Sequence, residues 1–190
     1  PVHLYGQMCD MRSIKEIADR YQIKIVEDCA HCVEGERDGV RPGLLGDAAC
    51  FSFYATKNLT CGEGGAVTTN DHKLSERIRL LRQHGMSKEA ADRYQGDYKH
   101  WDMLELGWKY NMSNIQAALL LPQLSRIDER WLSRKELYDL YREALEGIPH
   151  IIMPIIYSHS KSALHLFTIF VDMPYRDQII LHFNSAVIGC

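Results

Sequence analysis

The stretch over residues 48–65 constrains the fold more than any other part of the chain. Residues 48–54 form an apolar run that is typical of a buried strand and too short to cross a membrane. Lys57 follows this run, and a glycine cluster comes next (Gly62, Gly64 and Gly65), where the backbone can take a positive φ or approach a ligand closely. Open α/β sheets bind ligands beyond the carboxyl ends of their strands, so a ligand site at Lys57 is one interpretation. A solvated lysine before an ordinary turn is the other.

The preceding segments alternate between strand and helix patterns, which predicts a parallel α/β sheet. Asp10 is a suitable N-cap for a helix whose apolar residues recur at positions 14, 17, 18 and 21. The β-branched run at 23–28 predicts a strand after that helix. The other expected elements are the end of a strand at 1–6, a loop at 35–47, a strand at 66–69 and a helix over 71–84 closed by Gly85.

The second half of the chain predicts helices followed by short strands. Residues 86–107 have little periodicity and predict a long surface loop. Aromatic residues in and beside it either pack within the loop or contact a nucleotide (Tyr94, Tyr98, Trp101 and Trp108). Ser113 is a suitable N-cap for a helical segment that extends to about residue 146, and Pro122 predicts a kink within it. The last expected elements are strands at 151–153 and 165–171 and a helix near 176–183.

Charge and cysteine content exclude several classes of protein. The net charge is −3 and the pI is near 6.3, so we expect neither a nucleic-acid partner nor a membrane partner. Six cysteines spread over 190 residues are typical of a reduced cytoplasmic protein rather than a disulfide scaffold. Cys29 and Cys32 have the spacing of a zinc or redox pair, but no second pair at finger spacing follows, so we expect buried thiols and no metal. The chain begins at Pro1 and stops within an apparent strand, and we expect it to be a fragment.

Two strand ends bring complementary chemistry to one edge of the predicted sheet. Asp28 ends the strand at 23–28, and Lys57 follows the strand at 48–54. A carboxylate beside a nucleophilic lysine suits pyridoxal phosphate (PLP), since the lysine attaches the cofactor and the acid pairs with its pyridinium nitrogen. An Asp28 side chain that only caps the next element or bonds a loop is equally compatible with this spacing.

Four phrases of the chain closely resemble the DegT/StrS-type family of PLP-dependent sugar aminotransferases. They are PVHLYGQ at 1–7, VEDCAH at 26–31, FSFYATKNLTCGEGG at 51–65 and GWKYNMSNIQAA at 107–118. The resemblance extends almost continuously to about residue 170. It implies an α/β fold of the aspartate-aminotransferase type (fold type I), with a central, mostly parallel sheet flanked by helices and the start of a smaller α+β domain.

The resemblance also implies roles for five residues. Lys57 would carry the cofactor covalently, Asp28 would pair with its pyridine nitrogen, and His31 would lie beside its ring and hydroxyl. Ser52 would bind the cofactor phosphate. Asn111 would reach the phosphate of the other subunit's cofactor, which implies a homodimer with sites at the interface.

The activity implied is transfer of an amino group from glutamate or glutamine to a nucleotide-linked keto-sugar, for surface polysaccharides or secondary metabolites. Related sugar dehydratases carry histidine in place of the lysine, so Lys57 favours the transaminase branch. His165 would lie near the substrate entrance, although an ordinary strand-end histidine fits as well. A non-catalytic or regulatory relative is the alternative. The expected domains are the C-terminal half of the PLP-binding domain (1–112), a helical connector (113–147) and the start of a small domain (148–190).

Overall fold

The structure is a computed structural model that describes residues 1–87, 100 and 102–189. Its elements are a 3-10 helix (Leu4–Gly6), α1 (Met11–Tyr21), β1 (Val26–Asp28), β2 (Glu36–Arg37), β3 (Ala48–Ser52), β4 (Gly65–Thr68), α2 (His72–Leu81), α3 (Asn114–Leu124), α4 (Ile127–Leu145), β5 (Ile151–Ile152), β6 (Ser160–Lys161), β7 (Phe170–Val171) and α5 (Met173–Ser185). Tyr94, Tyr98 and Trp101 of the predicted loop lie outside the described residues.

The sheet that carries the predicted site has the order β1–β3–β4. β1 and β3 are parallel and align Asp28 with Cys50, whereas β3 and β4 are antiparallel and align Ser52 with Gly65. Val2 forms a parallel bridge to Asp28, so the first residues extend the sheet beyond β1. The three predicted strands are therefore confirmed, with bounds that differ by one to three residues.

The predicted N-cap Asp10 is confirmed, and Asp71 caps the predicted helix that follows it. The Asp10 carboxylate accepts a hydrogen bond from the Ser13 backbone N–H at 3.1 Å, and Asp71 accepts from two N–H groups in the first turn of α2. These bonds satisfy donors that have no partner within the helix. α2 ends at Leu81, three residues earlier than predicted, and the chain then turns through Gly85 at φ 69°.

The prediction of one helix kinked at Pro122 is wrong, because the segment consists of two helices, α3 and α4, separated at residues 125–126. Ser113 caps α3 as predicted, and Pro122 lies inside α3. Proline has no N–H for the helical ladder, so α3 is weakened in its last turn. That turn is closed by the Ser125 hydroxyl, which donates to the Pro122 carbonyl at 3.0 Å, and by the Arg126 N–H, which donates to the Gln123 carbonyl at 3.2 Å.

Long-range pairings change two other predictions. The predicted loop at 35–47 contains β2, which pairs with β6 more than a hundred residues later. The predicted strand at 165–171 is reduced to β7, which pairs with β5. The residues before β7 bond to the first turn of the chain instead: the Ala163 N–H donates to the Gly6 carbonyl at 2.8 Å, and the His165 N–H donates to the Tyr5 carbonyl at 3.3 Å. The predicted helix near 176–183 lies within α5.

Two apolar clusters hold these elements together. One joins α1 and the residue before β1 to Ala163 of the second half, and its buried members are Met8, Met11, Ala18, Ile25, Cys32, Val40 and Ala163. The other lies between the loop after β3 and α3, and its buried members are Phe53, Leu59, Cys61 and Leu120. In the part of the chain that the structure describes, no helix is both long and apolar enough to span a membrane.

Candidate active site

Asp28 lies at the carboxyl end of β1, where its side chain is exposed. Its backbone is fixed on both sides, since the Asp28 N–H donates to the Pro1 carbonyl at 2.9 Å and the His3 N–H donates to the Asp28 carbonyl at 3.0 Å. Its Oδ1 accepts one hydrogen bond, from the Ala30 N–H at 3.0 Å. Oδ2 makes no hydrogen bond among the described residues, so the carboxylate keeps acceptor capacity for a ligand.

His31 follows in the turn after β1 and is half-buried. Its Nδ1 lies 3.3 Å from the Tyr5 N–H and accepts that hydrogen bond, so a neutral ring carries its proton on Nε2. Burial lowers the pKa of His31, the charge of Lys57 lowers it further, and the charge of Asp28 opposes both effects. His31 is therefore a neutral imidazole with an N–H donor at neutral pH, and the charges of both Asp28 and Lys57 act on it.

Lys57 lies in the loop that joins β3 to β4 and is half-buried. The loop closes on the end of β3, because the Phe53 N–H donates to the Gly64 carbonyl at 2.8 Å and the Lys57 N–H donates to the Tyr54 carbonyl at 2.9 Å. Gly62 has the positive φ, 85°, that the glycine cluster predicted. Over the described ranges, the Lys57 ammonium forms neither a hydrogen bond nor an ion pair, and it is available to a ligand.

His165 joins this group from the second half of the chain. Its ring centroid lies 4.4 Å from that of His31, and its Nδ1 lies 3.0 Å from Oδ1 of Asn58. Burial lowers the pKa of His165 to about 4, and the nearby His31, Lys57 and Arg134 add to the effect. The sequence suggested His165 only through the family resemblance, and the structure brings it into contact with a predicted site residue.

The other two predicted site residues are Ser52, at the end of β3, and Asn111, which precedes α3. Ser52 ends β3, half-buried, and its Oγ accepts a hydrogen bond from the Tyr54 N–H at 3.4 Å, which leaves the hydroxyl proton free to donate. Asn111 is exposed on the approach to α3. No hydrogen bond links Asn111 to Asp28, His31 or Lys57 among the residues that the structure describes, so it does not belong to their cluster within this chain.

Sequence reasoning missed three polar residues beside the site. Asn58 donates to Glu34 Oε2 at 3.1 Å and to the Ala163 carbonyl at 2.8 Å, and Arg134 of α4 forms an ion pair with Glu34. The Glu34 side chain is only 2% exposed. Asn58 directly follows Lys57, which was the one available signal; Glu34 and Arg134 come from segments that only the tertiary structure brings near it.

The cysteine pair and its neighbours form a closed structural cluster. Cys29 and Cys32 are fully buried, as predicted, and burial raises the pKa of both thiols, that of Cys32 to about 12. Thiolates are the nucleophilic and metal-binding form, so this environment disfavours redox or zinc chemistry. His3 and Glu27 approach Cys29 closely enough to suggest a metal site, but the His3 and Glu27 side chains already bond each other at 2.9 Å.

The groups at the edge of β1 and β3 fit pyridoxal phosphate. Asp28 would offer a carboxylate oxygen to the pyridine nitrogen, and Lys57, whose amine has no partner among the described residues, would attach to the aldehyde carbon. His31 would offer an N–H donor to the phenolic oxygen, and the Ser52 hydroxyl would be free to donate to the phosphate. The arrangement can hold the ring, balance its charge and move a proton next to it.

Comparisons with known proteins agree with this chemistry. A model of the DegT/DnrJ/EryC1/StrS aminotransferase family matches residues 1–190. The spore coat polysaccharide biosynthesis protein SpsC of Bacillus subtilis is 42% identical over 173 residues, which are 90% of this chain and 44% of SpsC. GDP-perosamine synthase of Caulobacter vibrioides is 40% identical over 159 residues, which are 80% of this chain and 40% of the synthase.

The solved structures agree with the predicted fold. Spr1654 of Streptococcus pneumoniae, solved in its PMP form, matches with a TM-score of 0.89 at 28% identity, over 100% of this chain and 53% of that one. The prediction of fold type I is confirmed by this likeness. The chain spans about half the length of the relatives that it matches.

Proposed function

The chain belongs to the DegT/DnrJ/EryC1/StrS aminotransferase family, and from this premise we propose that the whole protein transfers an amino group to a nucleotide-linked keto-sugar. Glutamate or glutamine gives up its amino group and becomes a 2-oxo acid, and the nitrogen replaces the keto oxygen of the sugar. One observation carries the proposal. His31 lies near enough to Asp28 and Lys57 for the charge of each to act on its pKa, in a chain that matches the family throughout.

Asp28 and Lys57 perform the central tasks in this proposal. When bound, pyridoxal phosphate supplies an electron-accepting ring that makes a proton on the carbon bearing the nitrogen labile. Asp28 keeps the pyridine nitrogen protonated, because an adjacent carboxylate favours the charged form. Lys57 holds the cofactor covalently and then, as a free amine, moves the proton between the two carbons that exchange oxidation state.

Three further residues orient the cofactor in the proposal. His31 is neutral and carries its proton on Nε2, so it can donate to the phenolic oxygen without adding charge. The Ser52 hydroxyl donates to the phosphate, and its position at the end of β3 suits a ligand beyond the strand. Asn111 is exposed near the start of α3, and we assign it to the cofactor phosphate of a partner subunit in a homodimer.

The substrate class follows from the names of the relatives. One is a GDP-perosamine synthase and another a spore coat polysaccharide biosynthesis protein, so amino-sugar formation for polysaccharides is the pathway type that we propose. A cytoplasmic location is part of the proposal, since nucleotide-linked sugars are cytoplasmic substrates and the cysteines within the described residues are all free thiols.

A test in two steps separates this proposal from a non-catalytic relative. Adding pyridoxal phosphate to the full-length protein should produce a visible absorbance band, and borohydride reduction followed by peptide mapping should locate the cofactor on Lys57. Turnover is then measured against a panel of nucleotide-linked keto-sugars with glutamate or glutamine as donor. Attachment to another lysine would overturn the assigned site. Normal attachment with no turnover on any keto-sugar would favour the non-catalytic relative.

A further inference from the structure

Four side chains next to the proposed cofactor site form a continuous hydrogen-bonded series, which we call the polar chain: Arg134, Glu34, Asn58 and His165. We propose that the polar chain is a positioning device, in which Asn58 fixes the tautomer of His165 and holds its ring against His31. Its effect on turnover rests on the proposed function, whereas the tautomer can be measured without any turnover.

The contacts of Asn58 leave one assignment for its amide. The Asn58 nitrogen lies 3.1 Å from a Glu34 carboxylate oxygen and 2.8 Å from the Ala163 carbonyl, and both of these groups can only accept. The amide NH₂ therefore faces them, and the Asn58 oxygen faces Nδ1 of His165 at 3.0 Å. Because that oxygen can only accept, His165 must donate from Nδ1. A neutral His165 then has its acceptor lone pair on Nε2.

The neighbouring ring has the opposite tautomer. His31 accepts the Tyr5 N–H at Nδ1, so its own proton lies on Nε2. The His31 and His165 rings pack with their centroids 4.4 Å apart and a tilt of 37°. Two protonated rings at this distance would repel each other, and burial already disfavours the charged form of each. The pair thus offers one Nε2 donor and one Nε2 acceptor beside Lys57, a matched set for a ligand hydroxyl or amine.

The far end of the polar chain anchors it. Glu34 is buried, and a buried carboxylate is stable only when it is paired and hydrogen-bonded. Arg134 of α4 supplies the charge and Asn58 supplies the hydrogen bond. The Asn58 amide therefore ties the Lys57 loop to the segment before β2 and to the segment before β7, and Glu34 links that amide to Arg134 of α4. Since Asn58 is the next residue after Lys57, the same bonds fix the backbone that carries the lysine.

The test is selective ¹⁵N-histidine NMR on the full-length holoprotein, with a His165→Asn variant to assign the signals. We expect His165 to be the Nδ1–H tautomer and His31 the Nε2–H tautomer near neutral pH. Asn58→Ser, whose side chain is too short to reach Nδ1, should convert His165 to a mixture of tautomers. Asn58→Asp should raise the pKa of His165, because it places a carboxylate against Nδ1. Asn70→Ser, the same change at an exposed asparagine, should alter neither signal.

The possible results separate the positioning role of Asn58 from the proposed function. An Nε2–H tautomer for His165, or a tautomer unchanged in Asn58→Ser, would overturn the positioning role. If Asn58→Ser does not fold, the wild-type tautomer and the Asn58→Asp pKa still decide it. Given turnover, Asn58→Ser should lower kcat by up to about 100-fold through misplacement of the site, with the cofactor still on Lys57. The predicted tautomers without turnover in the wild type would leave the positioning role standing and count against the proposed function.

Discussion

Glu27 and Asp28 are adjacent carboxylates on β1, yet they occupy opposite environments. Successive side chains of a strand point to opposite faces, so the two carboxylates separate although their backbones are continuous. Glu27 is 0% exposed and accepts hydrogen bonds from His3 at 2.9 Å, from the Gly43 N–H at 2.9 Å and from the Gly46 N–H at 2.7 Å. Asp28 is exposed, and its side chain accepts one hydrogen bond within the part of the chain that the structure describes.

The difference shows how a structural carboxylate can be told from a ligand-binding one. Burial raises the pKa of Glu27, but the bonds from His3, Gly43 and Gly46 outweigh it, so its net pKa is lowered. We call the side of β1 that carries Glu27 the closed face and the side that carries Asp28 the open face. A Cβ at Gly46 would lie 2.6 Å from a Glu27 oxygen, so the closed face has no room for another group. A saturated carboxylate stabilises the fold, whereas one with free acceptor capacity at a strand end is available for chemistry.

The largest effect is expected at Lys57, the residue that the proposal pairs with Asp28. Lys57→Ala should abolish covalent attachment of the cofactor and lower turnover on the order of 10⁴-fold or more, because the residue is both the attachment point and the proton carrier. The melting temperature should stay close to that of the wild type in the absence of cofactor. Borohydride reduction with mass spectrometry checks attachment. A reduced adduct in the variant would show that another lysine carries the cofactor.

Asp28→Asn should have the next largest effect. Removing one electrostatic partner of the pyridine nitrogen should lower kcat on the order of a hundredfold or more, while attachment to Lys57 persists. We expect little loss of stability, since among the described residues the Asp28 side chain accepts a single hydrogen bond, which asparagine can also accept. Steady-state kinetics and a denaturant titration measure the two quantities. A large loss of stability with unchanged kcat would reverse the roles that we assign to the two faces.

Glu27→Gln should show the opposite pattern. The amide NH₂ would face a buried N–H donor in place of an oxygen, which costs roughly 2 to 3 kcal/mol of unfolding free energy. The kcat of the folded fraction should change little. Urea denaturation of the full-length variant checks the first statement, and activity per folded molecule checks the second. Glu36→Gln, on an exposed ion pair, is the matched control and should cost much less.

As the pH falls, the protein should first lose the stability that neutral His165 contributes. The pKa of His165 is lowered to about 4 from an ordinary value of 6.5, so the unfolded chain binds more protons between these values. The contribution of neutral His165 to the free energy of unfolding is complete above pH 6.5 and is lost as the pH drops towards 4. The loss is roughly 1 to 2 kcal/mol after allowance for solvent screening. Glu27, with a lowered pKa, loses its contribution only below its ordinary value of 4.5. Denaturation midpoints against pH should be flatter over the upper window in His165→Asn, and an unchanged slope would contradict the assignment.

The smallest effect is expected at Asn111, which belongs to neither face. Asn111→Ala should weaken retention of the cofactor several-fold, on the order of 1 kcal/mol, because it removes one hydrogen bond to a phosphate. Dialysis of the holoprotein followed by absorbance measures retention, and light scattering shows whether the protein is a dimer. An active monomer, or unchanged retention in a dimer, would remove Asn111 from the site.

Much of the fold follows from local patterns in the sequence. Asp10, Asp71 and Ser113 are N-caps because their oxygens bond N–H groups two or three residues later, so the signal and the structure are neighbours in the chain. β1, β3 and β4 follow from short apolar runs, and Lys57 from its place behind one of them. The predicted domain boundaries at 112 and 147 stay predictions.

Only the tertiary structure decided the rest, because those features join segments far apart in the chain. β2 pairs with the distant β6. His165 lies outside β7, although a strand was predicted there, because its N–H donates to the Tyr5 carbonyl. The sequence singled out Asp28 by its place at the end of a predicted strand, but it gave no sign that Glu27 would be saturated with hydrogen bonds. Which of them is saturated depends on His3 and on a glycine loop that folds over one face of β1. A local pattern cannot encode that choice, because it depends on which distant donors pack against each face of the strand.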